Sequence, residues 1–206
     1  SSKCGSADLL QGLGVDINMP VDKVEKCIEE IGIGFLFAPL LHKAMKFAIG
    51  PRREIAIRTI FNILGPLCNP AGAGAQVIGV YDGALCETLA RVLQQLGSLR
   101  AYVVHGSVGI DEATLTATTK VSELKNGEVN TYDLDPRELG FSFCRPEDLR
   151  GGGTPENVKI TLDILNGGKG PRRDVVVLNS ALAIAASGKA RGLGDAVRLA
   201  EESIDS

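Results

Sequence analysis

What the 206-residue chain lacks narrows its function before any motif is read. It has no tryptophan, and aromatic residues make up only 4%, so the stacked rings that grip single-stranded nucleic acid are scarce. Neither sign of charge is in excess. Its 22 basic and 25 acidic residues give a net charge of −3 and a pI near 5.5, so no chain-wide field favours nucleic acid or an anionic membrane. Any phosphate recognition has to be local. No apolar run reaches the ~18 residues of a bilayer-spanning helix, and the N-terminus has no signal-peptide core. A soluble, cytoplasmic protein that binds neither membrane nor nucleic acid is expected.

The five cysteines, Cys4, Cys27, Cys68, Cys86 and Cys144, are odd in number and form no CxxC pair. Zinc and dithiol chemistry lose support, and reduced thiols are expected. A GxSxG nucleophile elbow is missing. Gly72-Ala73-Gly74-Ala75 precedes a strand instead of following one, which disqualifies it as a dinucleotide fingerprint.

What is present describes a globular chain: 44% hydrophobic and 23% charged residues, with 25 glycines that imply tight turns and close backbone approaches. At roughly 150 residues per domain, residues 1–206 read as a single α/β domain, without repeats, low-complexity tracts or linkers. The sequence opens on Ser1 without a methionine and closes in a helical pattern, so it reads as a piece of a longer protein.

Periodicity and punctuation supply the elements. A short helix over Asp8–Leu13 takes Ser6 as its N-cap, and Asp22–Ile31 is amphipathic with Gly32 ending it. Residues 33–47 read as an apolar helix carrying His42, Lys43 and Lys46. Pro51 opens another helix that runs from Arg52 to Gly65-Pro66, after which a rigid loop reaches Gly72. Gln76–Tyr81 reads as a strand buried on both faces, Ala84–Leu96 as a helix with Leu85, Leu89, Val92, Leu93 and Leu96 inward, and Arg100–His105 as a second strand, together a β-α-β unit. Lys120–Leu124 and Glu128–Tyr132 form a hairpin about Lys125-Asn126-Gly127. Helices follow over Pro155–Asn166, Asp174–Ser187 and Gly194 onward, the middle one apolar enough to be core. The expected fold is α/β, with a mixed, mainly parallel central sheet flanked by helices and an antiparallel hairpin at its edge.

Four groupings can carry chemistry. Ser1-Ser2-Lys3-Cys4-Gly5-Ser6-Ala7-Asp8 brings hydroxyls, a lysine and a glycine to a helix start, either a phosphate cradle or a polar cap. Asp111-Glu112 follows the second strand of the β-α-β unit, where open α/β sheets bind ligands. Adjacent carboxylates there suit Mg²⁺ or form a solvated acidic loop. Arg52-Arg53 sits in a first helical turn, where cations oppose the macrodipole, and so points to an anionic partner. The Asn62–Pro70 segment, with its glycine and two prolines, is a pocket wall or a structural turn. His42 and His105 read as structural histidines.

Together, Ser1-Ser2-Lys3-x-Gly5-Ser6-Ala7-Asp8, Phe35-Leu36-Phe37-Ala38-Pro39 with His42 and Ala44-Met45-Lys46, Arg52-Arg53-Glu54, Ile57 to Leu67, Asn69-Pro70-Ala71, and Val104-His105-Gly106 with Asp111-Glu112 closely resemble the anthranilate phosphoribosyltransferase family. The resemblance covers essentially the whole chain and is densest up to Glu112. It implies a nucleoside phosphorylase/phosphoribosyltransferase-like α/β domain. It also implies transfer of the phosphoribosyl group of phosphoribosyl pyrophosphate to anthranilate, with Mg²⁺ as cofactor, in tryptophan biosynthesis. Position by position, it assigns Ser1, Ser2 and Ser6 to phosphoribosyl pyrophosphate, Arg52 to the anthranilate carboxylate, and Asp111 and Glu112 to the metal; the Gly65-Pro66 wall of the rigid segment is expected to pack on the flat face of anthranilate. Family members pair through an upstream helical region, so a homodimer is implied for the longer protein.

The sequence departs from the family pattern in several places. Neither that helical region nor the family's Gly-Thr-Gly-Gly-Asp loop and Asn-x-Ser-Thr segment occurs here. Lys43 and Cys68 stand where a proline and a threonine are usual. The chain alone is therefore expected to be inactive or nearly so. Competing readings are a pyrimidine nucleoside phosphorylase-like enzyme, disfavoured by Arg52 and the 62–71 segment, and a non-catalytic nucleic-acid-binding relative, disfavoured by net acidity and the intact acid pair.

Overall fold

Residues 4–41, 61–69 and 71–206 are described by the computed structural model. The expectations placed on Ser1, Ser2, His42, Arg52 and the helices between residues 42 and 60 lie outside them. In chain order the elements are α1 (Ser6–Gly12), α2 (Val21–Ile31), α3 (Ala38–Leu41), α4 (Phe61–Leu67), β1 (Ala75–Gly79), α5 (Leu85–Gln95), β2 (Arg100–Gly106), β3 (Thr119–Lys125), β4 (Glu128–Leu134), 3-10 turns at Pro136–Leu139 and Pro146–Leu149, α6 (Thr154–Leu165), α7 (Pro171–Ala186) and α8 (Leu193–Ile204). They divide into two units, one formed by the chain up to residue 70 with Gly151–Ile160, the other by Ala71–Arg150 with Thr161–Ser206. No described helix is long and apolar enough to cross a membrane.

In the first unit the N-cap of α1 is Gly5, and Ser6 is already helical. Asp8 explains the shift. Its carboxylate accepts the Gly5 N–H at 2.8 Å, so a glycine, itself tolerated at N-caps, starts the helix without a hydroxyl. The helix expected over residues 33–47 has no regular structure as far as Phe37 and is helical only over Ala38–Leu41 among the described residues. Gly65 and Pro66, expected to end a helix, lie inside α4. Proline near the end of a helix forfeits one backbone hydrogen bond, and here the chain leaves the helix only after Leu67, where Cys68 N–H still reaches the Leu64 carbonyl at 3.0 Å.

The second unit contains a four-stranded sheet in the order β1-β2-β3-β4. Its mixed character, flanking helices and edge hairpin match the expectation, but the balance of pairings does not. Among the described strands only β1–β2 is parallel, and β2–β3 and β3–β4 are antiparallel. The reason lies after β2. A parallel neighbour needs a long crossover, usually a helix, whereas residues 107–118 fold back as an irregular loop that reverses the chain. The β3–β4 turn is local. Asn126 and Gly127 take φ of 53° and 78°, the left-handed pair of a type I′ hairpin.

Alternation along the strands gives the sheet two covered faces. Tyr102 and Val104 of β2, with Val121 of β3 and Leu134 of β4, pack into a core with Val177, Leu178, Ala181 and Leu182 of α7 and Ala196 and Val197 of α8. On this face the Tyr102 hydroxyl donates to Glu123 at 2.9 Å. The opposite face, with Ala101, Val103 and Leu124 buried, takes α5, which packs against β2, β3 and β4. Leu89 and Leu93 are buried as expected, whereas Leu96, placed inward from the sequence, is 62% exposed, because it follows the last turn of α5. β1 is also less covered than expected. Val77 is 36% exposed, since β1 pairs only with β2 among the described strands. At the base of α7, buried Arg173 pairs with Asp205 at 2.8 Å and with Glu201 at 3.8 Å, tying α7 to α8.

Candidate active site

Of the predicted site residues, Ser6, Gly65 and Pro66 belong to the first unit and Asp111 and Glu112 to the second. Ser6 and both α4 residues are exposed. The segment carrying Ser6 is seated by its neighbours. Cys4 is buried and accepts a hydrogen bond from the Thr154 hydroxyl at 3.5 Å. A Cβ on Gly12 would come within 2.8 Å of both Thr154 and Val158, so α1 lies against the first turns of α6 at a distance only glycine permits.

The acid pair sits on the loop leaving the carboxyl end of β2, as the sequence placed it. Two hydrogen bonds close the base of that loop, Ser107 N–H to the Thr118 carbonyl at 3.1 Å and between the two hydroxyls at 3.2 Å. Inside it, Gly106 and Ile110 form an antiparallel bridge with Gly106 N–H on the Ile110 carbonyl at 2.9 Å. Gly109 makes the tight return at φ 88°. The loop then lies directly on the sheet. A Cβ on Gly79, the last residue of β1, would be 1.6 Å from the Asp111 carbonyl oxygen, and one on Gly106 would be 2.9 Å from that of Glu112. Beyond the acids, Ala113 and Leu115 join the hydrophobic core. Asn179 of α7 holds the Ala113 peptide by both ends. Its Oδ1 accepts from the Ala113 N–H at 3.0 Å, and its Nδ2 donates to the Ala113 carbonyl at 2.9 Å.

Both carboxylates are exposed and neither forms an ion pair with a described residue. Surrounding chain nevertheless partly desolvates Glu112, and together with the adjacent Asp111 charge this pushes the Glu112 pKa up. That repulsion is what a bound cation relieves. No group of three ligating side chains occurs among the described residues, so a cation here would keep coordination positions for water and phosphate oxygens, as Mg²⁺ prefers. His105 is structural in the sense expected. Its Nδ1 donates to the Val80 carbonyl at 2.8 Å, fixing the turn that follows β1.

Sequence reading found the acid pair but not what holds it. Asn179 carried a signal, because a polar side chain set between the apolar runs Val175–Leu178 and Ala181–Ala186 needs a partner. Gly79 and Gly106 carried only the general signal of glycine at strand ends.

The architecture is that of an open α/β sheet with the Asp111-Glu112 pair on the loop at the carboxyl end of β2, the end at which such sheets bind ligands. The chain belongs to the glycosyl transferase family, a/b domain, whose sequence profile it matches over residues 1–206. It is 56% identical over 205 residues to the anthranilate phosphoribosyltransferase of Syntrophotalea carbinolica, which accounts for 100% of this chain and 58% of that protein. Among solved structures, it superposes with a TM-score of 0.91 and 43% identity on the anthranilate phosphoribosyltransferase of Thermus thermophilus, covering 97% of this chain and 59% of that one. The Saccharomyces cerevisiae enzyme in complex with phosphoribosyl pyrophosphate and Mg matches with a TM-score of 0.86 and 28% identity, covering 97% and 58% of the two chains. The chain thus spans about three fifths of the length of the curated relatives it matches.

Proposed function

We propose that the protein carrying this chain transfers the phosphoribosyl group of phosphoribosyl pyrophosphate to the amine of anthranilate, releasing pyrophosphate, as a step in tryptophan biosynthesis. One observation carries the reading: an adjacent carboxylate pair set rigidly at the carboxyl end of β2, in a chain 56% identical to an anthranilate phosphoribosyltransferase. The yeast relative's complex with phosphoribosyl pyrophosphate and Mg supports it further. In the reaction the bond from the anomeric carbon to pyrophosphate breaks, a carbon–nitrogen bond forms, and the amine loses a proton.

Asp111 and Glu112 hold Mg²⁺, which when bound offsets the negative charge gathering on the pyrophosphate. Ser1, Ser2 and Ser6 hydrogen-bond phosphoribosyl pyrophosphate, and the Arg52 guanidinium forks onto the anthranilate carboxylate. Gly65 and Pro66 offer a flat apolar contact from α4. The aromatic amine is a nucleophile at neutral pH, so these residues act by holding the reactants in line, with no covalent intermediate on the protein. The working form is a homodimer located in the cytoplasm. The 206-residue chain, without a Gly-Thr-Gly-Gly-Asp loop in its sequence, does not turn over alone.

The test is an acceptor comparison. With phosphoribosyl pyrophosphate and Mg²⁺, the protein consumes anthranilate, followed by loss of anthranilate fluorescence, and it does not cleave thymidine with inorganic phosphate. Thymidine phosphorolysis in place of anthranilate consumption overturns the reading. Arg52→Ala weakens anthranilate binding by about 1.5 to 3 kcal/mol, the worth of a charged hydrogen-bonded contact. Unchanged acceptor affinity removes Arg52 from the site.

A further inference from the structure

We propose that Asn179 is a positioning residue that sets the carboxylates of Asp111 and Glu112 in the geometry that receives a divalent cation. The inference rests on the cation-holding role given to the pair above. Asn179 touches neither acid. It acts through the peptide of Ala113, the residue after Glu112, which it clamps with one donated and one accepted hydrogen bond at 2.9 and 3.0 Å.

Three features make this more than a surface contact. Ala113 and Thr114 have no exposure, so water cannot replace the amide. The second Nδ2 proton goes to the Val175 carbonyl at 2.9 Å, and only one orientation of the amide satisfies all three partners. The clamp also comes from α7, whose buried face packs in the core, so it ties the loop to the core of the unit. Upstream, Gly79 leaves no room between β1 and the Asp111 carbonyl. The two acids are therefore held on both sides by backbone contacts, and releasing the downstream one lets the Glu112 peptide rotate. A residue that only stapled the loop to α7 would affect stability and nothing else. A positioning residue also affects how tightly the cation is held.

The experiment separates these roles in the protein carrying the chain. The readout is the rise in water-proton relaxation when Mn²⁺ tumbles with the protein in the presence of phosphoribosyl pyrophosphate, without anthranilate. Asn179→Ala is expected to raise the half-saturating Mn²⁺ concentration about tenfold, the usual scale for residues behind a metal ligand. Asn179→Asp, which still accepts from the Ala113 N–H but cannot donate, falls in between. Tyr102→Phe, which loses a hydrogen bond elsewhere in the same core, lowers stability and leaves the titration where it was. The double variant Asp111→Asn with Glu112→Gln loses the enhancement. If the double variant binds Mn²⁺ like the parent, the cation-holding reading itself fails. If the double variant loses it while Asn179→Ala stays within about twofold of the parent, Asn179 is a staple and the proposal is overturned. Should Asn179→Ala not fold, Asn179→Asp decides by the same criterion.

Discussion

The two connections that flank β3 are built on opposite plans. After β3 the chain turns through Asn126 and Gly127, two left-handed residues that suit the twist of a hairpin, and takes one bond from outside, Gln94 Nε2 of α5 donating to the Gly127 carbonyl at 2.6 Å. Before β3, residues 107–118 take an irregular course imposed from outside. Gly79 comes from another strand, and Asn179 from a helix 66 residues further on. The local turn carries no chemistry, whereas the imposed loop carries the acid pair. Two charged groups next to each other resist being fixed, and contacts distant in sequence, added to the loop's own Gly106–Ile110 bridge, hold them where no described neighbour neutralises either acid.

If that contrast is sound, the largest effect comes from breaking the imposed loop at its tightest point. Gly79→Ala puts a methyl group inside the Asp111 carbonyl, and backbone has no rotamer with which to yield. A loss of about 3 kcal/mol or more in urea unfolding is expected, at the top of the usual overpacking range, together with loss of divalent-cation binding. A variant that unfolds and binds like the parent would mean the loop is not seated on β1. Gly127→Ala tests the other connection. Forcing a Cβ into φ 78° costs about 1 to 2 kcal/mol, and because the turn is local, cation binding stays as it was. A Gly127 variant that impaired the metal titration would show the two connections to be coupled and the contrast false.

The same contrast explains how much was legible. The hairpin could be read from Asn126-Gly127 between alternating segments because its determinants are adjacent in sequence. So could α7, whose apolar run needs no partner to be recognised. The acid pair was readable as residues, and its place after β2 followed from the β-α-β pattern. Its support was not readable, since nothing near residues 107–118 names Gly79 or Asn179. The excess of parallel pairing expected for the sheet failed for the same reason. The chain is turned back before β3 partly by contacts distant in sequence, with Gly79 and Asn179. Gly65-Pro66 failed differently, because Pro66 is tolerated close to the end of α4 and its helix-breaking signal comes late.

The smallest effect sharpens the comparison by reversing its sign. Partial burial, reinforced by Asp111, raises the Glu112 pKa in the folded protein, so the native state binds this proton more tightly than the unfolded chain does. Stability attached to Glu112 is therefore greatest when it is protonated, and it declines as pH rises from the unfolded carboxylate range through the raised folded value. At pH 7 the charged side chain is a cost. Replacing it with Glu112→Gln keeps the shape and removes the charge, so without divalent cation the variant unfolds at a slightly higher temperature at pH 7. The gain is a few tenths of a kcal/mol at most, because the group reaches solvent and is screened. At pH 4 or below the gain shrinks toward zero, and added salt reduces it at pH 7. Thermal unfolding at the two pH values measures it. A variant less stable than the parent at pH 7 would mean that the fold gains from the Glu112 charge, and that the loop is not imposed against repulsion. The expected result makes Glu112 a residue the fold tolerates at a small loss, a loss that binding a cation reverses.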